Sequence, residues 1–130
     1  MKANRIFETV LYAKDLAATE RFYRDVLGLE VLQRGVLRCG EGVLLIFNPE
    51  YARKSGRGVP SHGTEGAGHI AFAMREEELE PWRNHLQKCG VEIEMEVEWK
   101  EGGRSIYFRD PAGNSVELAP STLWGGGWVF

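Results

Sequence analysis

The sequence feature that most constrains the fold of this chain is an internal repeat. Each half alternates like a strand, changes to the three- and four-residue spacing of a helical face, and then returns to three short strands. Glu8 and His69 open the two halves 61 residues apart, and Gly28 and Gly90 end the two helices 62 residues apart. An offset this constant predicts two copies of one βαβββ module.

The first module is predicted to span about residues 5–48. Asp15 is placed to cap the helix with its carboxylate, and Gly28 suits the left-handed conformation at the helix C-terminus. Strands are expected at residues 6–13, 29–32, 36–38 and 43–47. A linker rich in glycine and proline is expected to follow at residues 49–66.

The second module is predicted to span about residues 67–119, with an aromatic tail at 120–130. Cys89 lies on the apolar stripe of its helix, so we expect a buried thiol there. Strands are expected at residues 68–74, 91–97, 104–109 and 114–119. The sequence therefore predicts a single α+β domain over residues 1–130, built from two tandem modules.

Composition excludes several classes of partner. The formal net charge of -3 and the pI near 5.7 argue against binding to nucleic acid or to an anionic membrane surface. No apolar run approaches the roughly 20 residues that a membrane span needs. The N-terminus leads into a strand pattern without the apolar core of a signal peptide, so a soluble cytoplasmic protein is expected.

The opening strand of the second module carries the most informative side chain. Alternation places His69, Ala71 and Ala73 on a small face, while large apolar side chains occupy the opposite face. An imidazole among alanines has room for a ligand or for proton transfer. The alternative is a half-buried histidine that only satisfies its own hydrogen bonds, and the strand alone leaves both interpretations open.

Three motifs together resemble the vicinal oxygen chelate superfamily, which includes glyoxalase I, extradiol dioxygenases, fosfomycin-resistance thiol transferases and bleomycin-resistance proteins. The resemblance covers residues 6–119. The motifs are Asp15-Leu16 with Phe22-Tyr23 and Leu27-Gly28, then Gly68-His69-Ile70-Ala71-Phe72, then Phe108-Arg109-Asp110-Pro111-Ala112-Gly113-Asn114-Ser115-Val116-Glu117-Leu118. The resemblance implies a cup-shaped mixed sheet formed by the two modules, with the helices on the outside.

By position, the resemblance also implies that Glu8, His69 and Glu117 hold a divalent zinc, nickel, manganese or iron ion. Glutamate at position 8 departs from the histidine or glutamine of several family members. Two histidines and one carboxylate are usual for oxygen activation, so Glu8 argues modestly against a dioxygenase. Residues 43–47 contain no donor for the fourth ligand of glyoxalase I. The alternative for Glu117 is an ion pair with Arg109 or Arg38.

Three residues are candidates for catalysis. Glu117 is both a ligand and a catalytic candidate, and Tyr107 is placed to donate a hydrogen bond to a bound oxyanion or to form the cavity wall. His62, in the linker, is a candidate acid, base or lid residue, with an exposed loop histidine as the alternative.

The function that follows is a metal-dependent lyase, isomerase or transferase acting on a small oxygenated substrate. A metal-free ligand-binding protein of the bleomycin-resistance kind and a dioxygenase-like enzyme are the alternatives. A homodimer is implied because modules of two chains complete the cup in short family members, and pairing within one chain stays open. The aromatic tail is expected to fold over the cup or onto a partner subunit.

Overall fold

The computed structural model describes residues 1–100 and 102–125, and its contacts divide the chain into two compact units, Met1–Gly66 and Ala67–Phe130. Each unit contains one four-stranded mixed sheet and one ten-residue helix. The α+β class and the repeated βαβββ module are thereby confirmed. No helix in the described ranges is long and apolar enough to cross a membrane.

The first unit follows the predicted order closely. Its sheet order is β1-β4-β3-β2, with β1 parallel to β4 and the other pairs antiparallel. Asp15 caps α1 by accepting a hydrogen bond from the Ala18 backbone amide at 2.9 Å, and Gly28 takes a φ of 69° after the helix. The elements are β1 (Glu8–Tyr12), α1 (Leu16–Asp25), β2 (Glu30–Gln33), β3 (Val36–Cys39), β4 (Gly42–Phe47) and α2 (Pro49–Ala52).

The second unit repeats that plan, with sheet order β5-β8-β7-β6 and β5 parallel to β8. Both edge strands also share an irregularity, because the register shifts between Val31 and Gln33 in β2 and between Ile93 and Met95 in β6. A turn of 3₁₀ helix precedes α3. The elements are β5 (His69–Met74), α3 (Leu79–Lys88), β6 (Ile93–Glu98), β7 (Arg104–Arg109) and β8 (Ser115–Pro120).

One face of each sheet forms an apolar core with the helix of its unit. In the first unit, Leu37, Leu44 and Ile46 are almost fully buried, and Tyr23 of α1 is completely buried. In the second, the fully buried strand residues are joined by Leu86 of α3. Those strand residues are Ile106, Phe108, Val116 and Leu118. Because successive strand residues point to opposite faces, the candidate site residues lie on the other face of each sheet.

The segment 49–66 has more structure than its composition predicted. Asn48 caps the short helix α2 by accepting hydrogen bonds from two backbone amides, and Arg53 forms an ion pair with Glu65 at 2.8 Å. The His62 backbone amide donates to the Ala52 carbonyl at 3.1 Å. Local caps and one ion pair order this segment, and such contacts leave no periodic hydrophobic pattern in a sequence.

Cys89 lies at the end of α3. The prediction that it is a buried thiol is wrong, because α3 ends at Lys88 and the capping residue Cys89 is exposed. A residue of the apolar stripe that lies beyond the last helical turn no longer points toward the buried face.

In the aromatic tail, Trp124 is 81% exposed, and residues 126–130 lie outside the described part of the chain.

Candidate functional site

The pairing of β5, β8 and β7 gathers polar side chains on one face of the second unit. Ala71 is paired with Glu117, and Glu117 with Tyr107, so these three positions form one row across the sheet. His69 and Ser115 are paired in the next row. Paired residues point to the same face of a sheet, which places His69, Tyr107 and Glu117 together.

His69 and Glu117 are in direct contact. The Nε2 atom of His69 lies 3.3 Å from Oε2 of Glu117, with the imidazole about half exposed and the carboxylate side chain 7% exposed. The Nδ1 atom of His69 lies 3.2 Å from the backbone carbonyl oxygen of Ser115. A carbonyl oxygen can only accept, so Nδ1 carries a proton and donates it. Nε2 is therefore the nitrogen available to a proton or to a metal ion.

Glu117 is a buried carboxylate whose other oxygen is held by a tyrosine. The Tyr107 hydroxyl donates to Oε1 of Glu117 at 2.8 Å. Burial, and then the neighbouring Glu117 carboxylate, raise the pKa of Tyr107 to about 12. Tyr107 therefore stays a neutral hydrogen-bond donor at physiological pH and does not act as a base.

Neither candidate arginine pairs with Glu117 among the contacts of the described residues. Arg109 instead makes a two-pronged ion pair with Glu94 at 2.7 and 3.1 Å, and Arg38 lies 3.5 Å from Glu30. Glu94 is the extra residue at the register shift in β6, and the bulge lets it meet Arg109. The Arg109 guanidinium holds the pKa of Glu94 below its ordinary value.

A further hydrogen bond lies beside Tyr107 on the same face of β7. Ser105, two residues earlier on β7, is completely buried and accepts a hydrogen bond from the Trp99 indole at 2.8 Å. Sequence reasoning missed both residues. Alternation along residues 104–109 places Ser105 on the Tyr107 face and was the available signal, whereas nothing in the sequence indicates where the Trp99 indole points.

The first unit has its own polar cluster. The Tyr12 hydroxyl lies 2.6 Å from Nδ1 of His62, and the His62 ring packs edge-on against Phe47 with the ring centroids 4.9 Å apart. His62 is therefore a half-buried residue fixed by two aromatic side chains, not a loose loop histidine. Glu8 is exposed at the start of β1 on the same sheet face as Tyr12.

The cluster around Glu117 offers two of the donors that a divalent ion needs. In residues 1–100 and 102–125, no group of three or more histidine, cysteine, aspartate or glutamate side chains is close enough to hold a metal. The pair formed by His69 and Glu117 does fit two ligand positions. Bond lengths of about 2.0–2.2 Å place adjacent nitrogen and oxygen ligands roughly 3.0–3.5 Å apart, and the observed separation is 3.3 Å.

Comparisons with known proteins all point to one superfamily. The model of the Glyoxalase/Bleomycin resistance protein/Dioxygenase superfamily matches residues 5–118. Glutathione transferase FosA of Serratia marcescens is 32% identical over 120 residues, covering 87% of this chain and 78% of that protein. Metallothiol transferase FosB of Staphylococcus epidermidis is 30% identical over 114 residues, covering 84% and 76%. The crystal structure of a lactoylglutathione lyase from Agrobacterium tumefaciens matches with a TM-score of 0.89 at 39% identity, over 97% of this chain and 100% of that one.

Proposed function

The chain belongs to the glyoxalase/bleomycin resistance protein/dioxygenase superfamily, and from that membership we propose that it is a divalent-metal-dependent lyase or transferase acting on a small oxygenated substrate. The resemblance drawn from the sequence motifs is confirmed. The names of the relatives refer to a metal, to glutathione or another thiol, and to a lyase or transferase reaction. Those words support the reaction class proposed for this chain.

The observation that carries the proposal is the contact between His69 Nε2 and Glu117 Oε2. A buried carboxylate is costly unless a positive charge compensates it. With Nδ1 donating to a carbonyl, Nε2 is an acceptor in neutral histidine, and two acceptors 3.3 Å apart repel each other unless a cation or a proton lies at their junction. A divalent cation would accept the lone pairs of both atoms at once.

We propose His69 and Glu117 as two metal ligands and Glu8 as the third, supplied by this chain or by a second copy in a homodimer. A bound divalent ion would supply Lewis-acid stabilisation to substrate oxygens. Zinc, nickel, manganese and iron all accept one imidazole and two carboxylates. Three protein ligands leave coordination positions free, which suits binding of a small oxygenated molecule.

His62 is proposed to contact the end of the substrate that lies farthest from the metal ligand Glu8. Glu8 and Tyr12 are four residues apart on β1, so their backbones lie roughly 13 Å apart along the strand. Tyr12 and His62 therefore contact a portion of the substrate remote from a ligand held at Glu8. A cleft of about 900 Å³ in the first unit is lined by Phe47, which packs on His62, and by Lys14 and Arg34. Asp15 also lines the cleft, so two cations and one carboxylate are available there to bind polar groups of a substrate.

Elemental analysis of protein purified without chelator tests the proposal, with Glu8→Ala, His69→Ala and Glu117→Ala as variants and exposed Glu92→Ala as the matched control. Near-stoichiometric metal in the wild type and in the control, lost in the three variants, is the expected result. If the wild type neither arrives with divalent metal nor binds it when offered, the metal-dependent function is refuted and a metal-free ligand-binding role replaces it.

A thiol-consumption assay then identifies the reaction. Glutathione is offered to the metal-loaded protein with and without fosfomycin, the compound in the name of a relative from Listeria monocytogenes that is 29% identical. Metal-dependent loss of free thiol indicates a transferase. Turnover of S-lactoylglutathione without that loss indicates a lyase. Light scattering on the same sample tests the proposed homodimer.

A further inference from the structure

A histidine and a cysteine lie side by side at the C-terminal end of α3, away from the polar row of β5, β8 and β7. The Nε2 atom of His85 lies 3.6 Å from the Sγ atom of Cys89. The Cys89 backbone amide donates to the His85 carbonyl at 2.9 Å, and this last helical hydrogen bond keeps the two side chains one turn apart on the same side of the helix. Cys89 is exposed and His85 is half-buried, so an ion can reach both side chains from solvent.

The distance between these two atoms matches the ligand spacing of a thiophilic divalent ion. Tetrahedral zinc binds a cysteine sulfur at about 2.3 Å and a histidine nitrogen at about 2.0 Å, which places the two ligand atoms about 3.5 Å apart. The observed separation is 3.6 Å, so little movement of either side chain is needed to bind an ion. Residues four apart on one helical face also present two ligands to a single zinc ion in other proteins.

The surroundings of the pair favour a bound cation. The Trp82 indole packs edge-on against the His85 ring, with the ring centroids 5.6 Å apart, so the imidazole loses less rotamer freedom when it binds an ion. The C-terminus of a helix carries partial negative charge, which stabilises cations there. The exposed Lys88 lies in the same turn, and its long flexible stem lets the ammonium group stay in solvent away from the ion.

We propose that His85 and Cys89 chelate a zinc-like divalent ion at a site separate from the cluster around His69 and Glu117. Among the described residues, no group of three histidine, cysteine or carboxylate side chains could hold a metal, so water completes the coordination of this ion. On binding, the thiol loses its proton to the buffer and its sulfur binds the ion, while the neutral imidazole contributes the Nε2 lone pair. A sulfur ligand selects zinc or cobalt over magnesium or calcium.

Titration of the full-length protein with Co²⁺, followed by absorption in the near ultraviolet, tests the inference. A thiolate bound to Co²⁺ gives an intense charge-transfer band, and a site made of imidazole and carboxylate ligands does not. The band is expected in the wild type and should be lost in Cys89→Ser. His85→Ala should weaken Co²⁺ binding at the thiol by about tenfold or more, because a chelating pair becomes a single ligand.

A second measurement needs no substitution. In the wild type, saturating Zn²⁺ should slow the labelling of Cys89 by a thiol reagent by about tenfold or more, because a metal-bound thiolate is not available to the reagent. Labelling of Cys39, the other cysteine of the chain, should keep its rate. An unchanged rate at Cys89 overturns the inference.

Matched controls separate this site from the other thiol and from the proposed metal ligands. Cys39→Ser and Asn84→Ala, the latter at an exposed position of α3, should keep the wild-type band and affinity. A band that is absent from the wild type or persists in Cys89→Ser, or an unchanged affinity in His85→Ala, overturns the inference. His69→Ala should keep the band, so failure of the metal-dependent function leaves this site intact, and failure of this site leaves that function intact.

Discussion

The two units share a backbone plan but differ in the chemistry placed on it. In the second unit, the row formed by Ala71, Glu117 and Tyr107 carries a buried carboxylate and its donor. The corresponding row of the first unit consists of Val10, Leu45 and Val36. Strand order, parallel pairing, helix position and even the irregular edge strand are repeated. The comparison shows that one copy of the module has a polar site and the other keeps an apolar row in the same place.

The strongest test of the comparison makes the second unit resemble the first. Glu117→Leu places in β8 the residue type that Leu45 provides in β4. Divalent metal binding, measured by isothermal titration calorimetry, should be lost, because a ligand is removed and His69 is left without its partner. Glu92→Leu, at an exposed position, is the control. Retained metal binding in Glu117→Leu would contradict the assignment of Glu117 as a ligand.

The next test concerns the core beneath the site. Leu86→Ala should lower the free energy of unfolding by about 2–5 kcal/mol, because Leu86 is fully buried and the substitution leaves a cavity. Urea denaturation followed by circular dichroism measures the change. The exposed neighbour Gln87→Ala should stay within about 0.5 kcal/mol of the wild type. An equal loss in both variants would argue against the buried position of Leu86.

The two cysteines, one in each unit, allow a direct comparison by chemical labelling. Burial raises the pKa of the Cys39 thiol, so less thiolate is present at a given pH, whereas Cys89 is exposed. Labelling with a thiol reagent at pH 7.5 should be at least about tenfold faster at Cys89. Cys89→Ser should remove the fast phase, and Cys39→Ser the slow one. Equal rates at the two sites would contradict the difference in burial.

The smallest expected effect concerns the arginine pairs of the two edge strands. The pKa of Glu94 is lowered by Arg109, so the pair contributes stability at neutral pH and loses it as the pH falls through the lowered value. Arg109→Gln should therefore reduce stability slightly at pH 7, and the deficit should shrink as the pH falls through the lowered pKa of Glu94. Arg38→Gln, at the longer contact with Glu30, is the matched control. Urea denaturation at a series of pH values from 7 downward checks the expectation. A deficit that does not shrink with falling pH would assign the effect to packing or to the hydrogen bond that Arg109 donates to the Gly113 carbonyl.

Much of this arrangement was predictable from the sequence, because strand alternation and the repeat offset can be read from the positions of residues along the chain. The same spacing placed His69 and Glu117 on matching faces of their strands. The pairing of Arg109 was not predictable, because it depends on a bulge that moves Glu94 out of alternation. The hydrogen bond from Trp99 to Ser105 depends on an indole orientation that packing alone decides. The exposure of Cys89 depends on where α3 ends, and helix ends are the least certain part of a sequence pattern.

The orientation of His69 has a consequence for how such a site changes over generations. Its Nδ1 donates to the main-chain carbonyl of residue 115, and all twenty amino acids possess that carbonyl. Substitution at 115 can alter the surroundings of the imidazole without removing the acceptor that fixes its tautomer. The surroundings of the imidazole are therefore open to variation while Nε2 keeps its direction toward Glu117. Changes around the imidazole can in this way accumulate without altering which ring nitrogen faces Glu117.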